Sequence, residues 1–234
     1  MNQRGEETMK PWTIAIDGPA GAGKSTVARL LARRLGYLYI DSGAMYRAIA
    51  LLSYQNAISP EEADAVSALA RTARITFHPD DDGQRLFLGD DDVSEEIRSP
   101  EISSIASKVS AIPGVRVALV AQQQALGAQG GVVMEGRDIG TVVFPNAEMK
   151  IFLTASPEAR AARRLQDIQA RGHRTETLEG VRAAQDERDF RDATRSVSPL
   201  VSASDALEIE SDSMGPEEVV DAIIQQIDAR RREA

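Results

Sequence analysis

The sequence contains no cysteine. A disulfide framework is therefore excluded, and so is any zinc site built on thiolates. Histidine is scarce: His78 and His173 each stand alone in polar surroundings, without a Ser, Cys or second His at ligand spacing. Neither is assigned a catalytic role. Long apolar runs are missing as well. Stretches such as Val132–Met134 and Ile151–Leu153 fall far short of the ~20 apolar residues that a membrane-spanning helix needs. Residues Met1–Lys10 are polar and carry no apolar core, so they are expected to form a loose tail, with Met9 an alternative start, rather than a secretory signal. The cytoplasm is the expected location, with no membrane partner.

Lysine is rare too. Of 27 basic residues only Lys10, Lys24, Lys108 and Lys150 are lysines, and the rest are arginines. The net charge of −9 argues against general affinity for nucleic acid or anionic membranes. Nine of the arginines nevertheless lie between Arg160 and Arg195. A guanidinium offers a planar fork suited to phosphate. Two readings follow: a local anion site, or solvated helix faces in an arginine-rich chain.

The 234 residues, 42% hydrophobic, suffice for one α/β core with a small inserted unit. Short apolar strands alternate with amphipathic helices. Strands are expected at Thr13–Ile16, Tyr37–Ile40, Val132–Met134, Ile151–Leu153 and Leu207–Glu210. Helices are expected at Ser25–Leu35, Gly43–Ser53, Val115–Leu126, Pro157–Ala170, Leu178–Arg191 and Glu217–Arg231. Gly36 suits a helix stop, Ser59 and Glu62 suit a capping box, and Ser99-Pro100 and Ser156-Pro157 suit helix starts. Five strands with helical crossovers imply a mostly parallel, doubly wound sheet, whose ligands sit at the carboxyl ends of the strands. One hairpin, Arg74–His78 and Arg85–Leu88 around Asp80-Asp81-Asp82-Gly83, interrupts the alternation and defines an insertion over residues 63–103. Residues 11–62 and 104–234 then form the core, and 1–10 the tail.

The strongest motif runs from Gly18 through Pro19, Ala20, Gly21, Ala22, Gly23, Lys24 and Ser25 to Thr26. It fits GxxxxGK[ST] between a strand and a helix, the setting a phosphate-binding loop requires. Backbone N–H groups there cradle phosphate, aided by the helix dipole. Lys24 would reach the β- and γ-phosphates, and Ser25 would offer its hydroxyl to Mg²⁺. A GTPase switch is disfavoured because no Asn-Lys dipeptide is present to open a guanine motif. A large ATPase would end an apolar strand in Asp, where this chain has Glu135. Two readings of Glu135 stand: it holds magnesium through water, or it faces solvent at a strand end.

Asp41-Ser42-Gly43 and Arg47 lie at the carboxyl end of the second strand, and Gly136-Arg137-Asp138 at the end of the third. Both place arginine at the edge that carries the phosphate loop, which points to a second phosphate site. The bland alternatives are Ser42 as a helix cap, a solvated Arg47 and a local Arg137–Asp138 turn. Arg160, Arg163 and Arg164 share one helix face, as do Arg188, Arg191 and Arg195. Between the two sets lies the polar stretch Arg171-Gly172-His173-Arg174-Thr175, expected to act as a lid over about 165–180 that excludes competing water. Some of these arginines are instead expected to pair with Asp167, Glu187, Asp189 and Asp192.

Six blocks together resemble the bacterial cytidylate kinases, within the nucleoside-monophosphate kinases. They are Ile16–Lys24, Asp41–Arg47, Val93–Arg98, Glu135–Pro145, Lys150–Leu153 and Glu187–Asp192, and the likeness runs from about Trp12 to the last helix. The resemblance implies the P-loop NTPase fold: a five-stranded parallel sheet flanked by helices, an inserted monophosphate-binding domain with the hairpin, and a short lid. It implies ATP as donor, Mg²⁺ as cofactor and CMP or dCMP as acceptor in a monomeric enzyme. By position, Arg47 and Arg137 would clamp the CMP phosphate. Ser107, Arg116, Asp138 and Arg195 would surround the cytosine, Arg188 and Asp192 would meet the ribose, and Asp41 and Ser42 would line the pocket. Lys24, Arg47, Arg137, Arg163 and Arg188 form the expected catalytic set. Ser25 stands where some relatives have Gly and Glu135 where some have Asp, which leaves magnesium coordination open. A kinase for UMP or AMP is the near alternative, and an ATP-binding regulatory module the distant one.

Overall fold

The structure is a computed structural model that describes residues 11–80, 83–170, 172 and 176–233. The expected tail, the tip of the hairpin at 81–82, and lid positions 171 and 173–175, with His173, lie outside the described residues.

Five parallel strands form the central sheet: β1 (Thr13–Asp17), β2 (Leu38–Asp41), β6 (Val132–Gly136), β7 (Met149–Thr154) and β8 (Leu207–Glu210), in the order β2-β6-β1-β7-β8. The expected sheet is present, with each strand within a few residues of its predicted bounds. The inner strands β1, β6 and β7 are buried on both faces and read as largely apolar runs, whereas the edge strands β2 and β8 are partly exposed. Side chains alternate between two cores. Val133 of β6 and Ile14 and Ile16 of β1 join one cluster, whereas Val132, Met134 and Ala15 join another. The first cluster is closed by α1 (Lys24–Leu35) and α8 (Pro216–Glu233), through Val27, Leu31, Val220 and Ile223.

The other helices are α2 (Ser42–Gln55), α3 (Ala63–Thr72), α4 (Pro100–Val109), α5 (Pro113–Gly127), α6 (Pro157–Ala170) and α7 (Leu178–Thr194). Caps anchor them as expected at Ser99, which accepts from Ile102 N, and at Ser156, which accepts from Ala159 N at 3.3 Å. The expected Ser59–Glu62 capping box does not open a helix. Glu62 does accept from the Ser59 N–H at 2.9 Å, but the residues form a turn and α3 begins only at Ala63.

The inserted hairpin pairs β3 (Ile75–Asp80) with β4 (Gly83–Leu88), and a short β5 (Asp91–Asp92) extends it. Ile75, Phe77, Leu86 and Leu88, spaced by two, turn toward a third core made largely by α2, α3, α4 and α5. The insertion thus shares its core with α2 and α5. Helix α4 runs continuously across position 103/104, so a division there would cut a helix.

Candidate active site

Every strand end named in the sequence converges on one cleft of about 1050 Å³. The phosphate loop leaves β1 in a conformation that glycine permits. Gly18 has φ 147°, and a Cβ there would run into the Leu153 carbonyl. Of this loop, Ala20 through Thr26 line the cleft. Lys24 is buried and donates to the Pro19 carbonyl at 2.7 Å. Burial, then the charge of Arg137, pushes its pKa down to about 7 against the opposing pull of Glu135.

Glu135, at the end of β6, is buried, so the solvent-facing reading is set aside. One of its oxygens accepts from the Ser25 hydroxyl and also from Tyr39 Oη at 3.1 Å. Burial and the neighbouring Asp41 raise its pKa, with Lys24 and Ser25 opposing. Asp41, not Ser42, caps α2, accepting from Ala44 N at 3.0 Å. Ser42 instead donates to the Glu135 carbonyl at 2.7 Å and ties β2 to β6. Burial opposes ionisation of Asp41, but Arg47 at 2.7 Å and the Ala44 N–H together hold its carboxyl below the usual range.

The Gly136-Arg137-Asp138 turn leads into one π-helical turn, Ile139–Val143, a feature frequent at functional sites. Arg137 Nε donates to Asp192 at 2.9 Å. Asp138 is buried against Arg116 at 2.5 Å, with Arg195 at 3.7 Å. The Arg116 guanidinium lies 5.3 Å from the ring centre of Tyr46. Arg195 also meets Asp192 at 3.4 Å. Ser107, half-buried on α4, lines the same cleft. The local Arg137–Asp138 pair does not form, because each residue has a partner from another element.

Arg188 is a half-buried cation with little compensation. Its Nε is buried without a hydrogen-bond acceptor, as is that of Arg47. Burial, then the charge of Arg137, lowers its pKa to about 10. Like charges held together in a cleft in this way favour an anionic ligand that would neutralise them.

The late arginines divide. Arg163 is engaged with Ser211, donating to its Oγ at 3.0 Å and its carbonyl at 2.7 Å. Arg191, partly exposed, lines the cleft and pairs with Glu187 at 3.6 Å. Arg188, Arg191 and Arg195 all line the cleft, with Arg195 at the C-terminal cap of α7 rather than within it. Of the expected acidic partners, Asp189 takes Arg160 and Asp192 takes Arg137 and Arg195.

Two contributors, Asp17 and Tyr39, were not singled out from sequence. Asp17 accepts from the N–H groups of Ile139 (2.8 Å) and Gly140 (2.7 Å), and so fixes the turn that carries Arg137 and Asp138. Its burial raises its pKa to about 6, with the two N–H groups opposing. Tyr39 steadies Glu135, and Arg160 with Asp189 grips the phosphate loop. Asp17 lay inside a quoted motif block. Tyr39 carried no signal, since a tyrosine in a strand reads as core.

A β1–loop–α1 phosphate cradle on a parallel sheet, sharing one cleft with a cluster of arginines, defines the class: a P-loop phosphotransferase. The family model described as cytidylate kinase matches residues 14–229. A cytidylate kinase of Pelotomaculum thermopropionicum is 52% identical over 221 residues, which cover 94% of this chain and 97% of the relative. A bifunctional pantoate ligase/cytidylate kinase of a Synechococcus species is 50% identical over 211 residues, 90% of this chain but 43% of that protein. An uncharacterized protein of Eubacterium ventriosum, of known crystal structure, matches with a TM-score of 0.52 at 13% identity, over 94% of this chain and 99% of that one, and shares the fold alone. The chain belongs to the cytidylate kinase family.

Proposed function

We propose that the protein transfers the γ-phosphoryl group of ATP to CMP or dCMP, giving ADP and CDP or dCDP. The observation that supports the reading is the convergence of Lys24, Arg47, Arg137 and Arg188, with the buried Arg116–Asp138 pair, on a single cleft. The phosphate loop would take the donor phosphates on its N–H groups and on Lys24, whose ammonium would exchange the Pro19 carbonyl for phosphate oxygens. Arg47, Arg137 and Arg188 would hold the acceptor phosphate and offset the repulsion between the two anions.

An acceptor phosphate oxygen attacks the γ-phosphorus, and the bond to the β–γ bridging oxygen breaks, leaving ADP. That acceptor oxygen is already ionised at neutral pH, so no strong general base is needed. Catalysis is mainly positioning and charge neutralisation. Asp138 suits the cytosine amino group as an acceptor. Uracil would turn a carbonyl toward the same carboxylate, an unfavourable pairing.

The donor set also fits magnesium. Ser25 and Glu135 bring a hydroxyl and a buried carboxylate into contact, both hard oxygen ligands. Among the described residues no group of three or more acidic or imidazole side chains is placed to hold a metal ion. That agrees with an ion shared with substrate phosphates and water rather than caged by protein. When bound, Mg²⁺ would neutralise charge building on the phosphate oxygens. Among the described residues no single helix is long and apolar enough to cross a membrane. A cytoplasmic, monomeric enzyme with no nucleic-acid partner remains part of the proposed reading.

Heat protection gives a direct test. A ligand at a hundred times its Kd stabilises the folded state by about 2.7 kcal/mol. CMP and dCMP are expected to raise Tm by several degrees, with UMP, AMP and GMP well behind. Equal protection by all five would remove the base assignment.

A further inference from the structure

Helix α7 meets both sides of the cleft. Arg188 and Asp192 face the acceptor side, where Asp192 holds Arg137. One step round the helix, Gln185 and Asp189 face the phosphate loop. Asp189 Oδ1 accepts the N–H of Ala20 at 3.2 Å, and its Oδ2 is paired with the Arg160 guanidinium. The same Arg160 Nη1 donates to the Ala20 carbonyl at 3.0 Å, and its Nε to the Ala155 carbonyl at 3.2 Å. One ion pair thus takes both the N–H and the C=O of Ala20. The next residue leaves no slack: a Cβ on Gly21 would stand 2.6 Å from Gln185 Nε2 and 2.9 Å from the Arg160 carbonyl oxygen.

A pair that merely fastened α6 to α7 would need only the contact between its own side chains. Here two of the four bonds end on the backbone of the phosphate loop. Asp189 also adjoins Arg188 in sequence and lies one turn before Asp192. A shift of α7 that reseats Arg188 and Asp192 is therefore transmitted to Ala20, and a loop set by donor phosphates is transmitted back.

We propose that Arg160 and Asp189 are positioning residues that couple the two halves of the site, so that a bound donor tightens acceptor binding through α7. The proposal rests on the kinase reading above. Coupling between sites is reciprocal and commonly changes affinity by about 5–150-fold.

The test is calorimetric titration of the full chain with CMP, with and without Mg²⁺ and the non-hydrolysable ATP analogue AMPPNP. In the unchanged protein the analogue is expected to tighten CMP at least about fivefold. In Asp189→Asn the carboxylate that pairs with Arg160 is lost. CMP affinity without the analogue is expected to stay within about twofold of the unchanged protein, while the gain from the analogue falls below about twofold. Arg160→Lys keeps a positive charge but lacks the planar fork that serves Asp189 and Ala20 at once. The same loss of coupling is expected there, and it carries the test if the asparagine variant does not fold. Undiminished coupling in the variants, or weakening of CMP equally with and without the analogue, overturns the proposal, as does an unchanged protein without coupling. An unchanged protein that binds AMPPNP but not CMP contradicts the kinase reading itself and takes the proposal with it.

Discussion

Arg116 and Asp138 meet at 2.5 Å with their side chains only 2% and 6% exposed. An ion pair this deep is costly to break on one side, because the surviving charge stays buried. Asp138→Ala is expected to lower stability by roughly 3–5 kcal/mol. Replacing both residues with apolar side chains, as in Arg116→Met with Asp138→Leu, is expected to restore most of that loss but not the protection given by CMP. Denaturant unfolding and heat protection measured on both variants check the two halves. A double variant that folds and still selects CMP over UMP would separate the pair from base recognition.

Arg137 occupies a different position, half-buried and held by Asp192, which Arg195 also reaches. Removing it leaves Asp192 partnered, so the fold should tolerate Arg137→Ala. The transferring group loses a positive charge in a closed site, a loss expected to lower kcat by about a hundredfold or more. Steady-state kinetics beside a thermal melt decide it. An unchanged rate in the folded variant contradicts the role.

Asp17 makes stability depend on pH. Its folded pKa of about 6 lies above the ordinary 3.8, with burial the main cause. The folded state therefore holds the proton more tightly than the unfolded chain. The associated stability is fully present below about pH 4 and is lost as pH rises through about 6. Against Asp17→Asn, which does not titrate, the stability of the unchanged protein is expected to fall by about 2 kcal/mol between pH 4 and pH 7. Denaturant titrations of both proteins across that range give the difference, and a constant difference would contradict the assignment.

Much of this site was legible in the sequence because its chemistry is local. Gly18–Ser25 announces a strand, a phosphate cradle and a helix start within a few residues, and Asp41–Arg47 and Glu135–Asp138 each mark a strand end. The parallel sheet followed from apolar runs alternating with amphipathic helices. Pairings brought together only by folding were not legible. Asp189 reaches Ala20 across 169 residues and Tyr39 reaches Glu135 across 96. Arg163 shared a helical face with Arg160, yet packing gave Arg163 to Ser211 and Arg160 to the phosphate loop. Spacing names the face of a helix, but the neighbouring elements decide what each residue on it meets. The hydroxyl of Ser42 likewise looked like a cap until β6 placed a carbonyl beside it.

ADP formation from MgATP, measured with CMP, dCMP, UMP, AMP and GMP offered separately, decides whether the protein is a cytidylate kinase. Rapid turnover with CMP and dCMP, and little with the other three, is the predicted result. Equal or faster turnover with another monophosphate, or none with CMP, would contradict it.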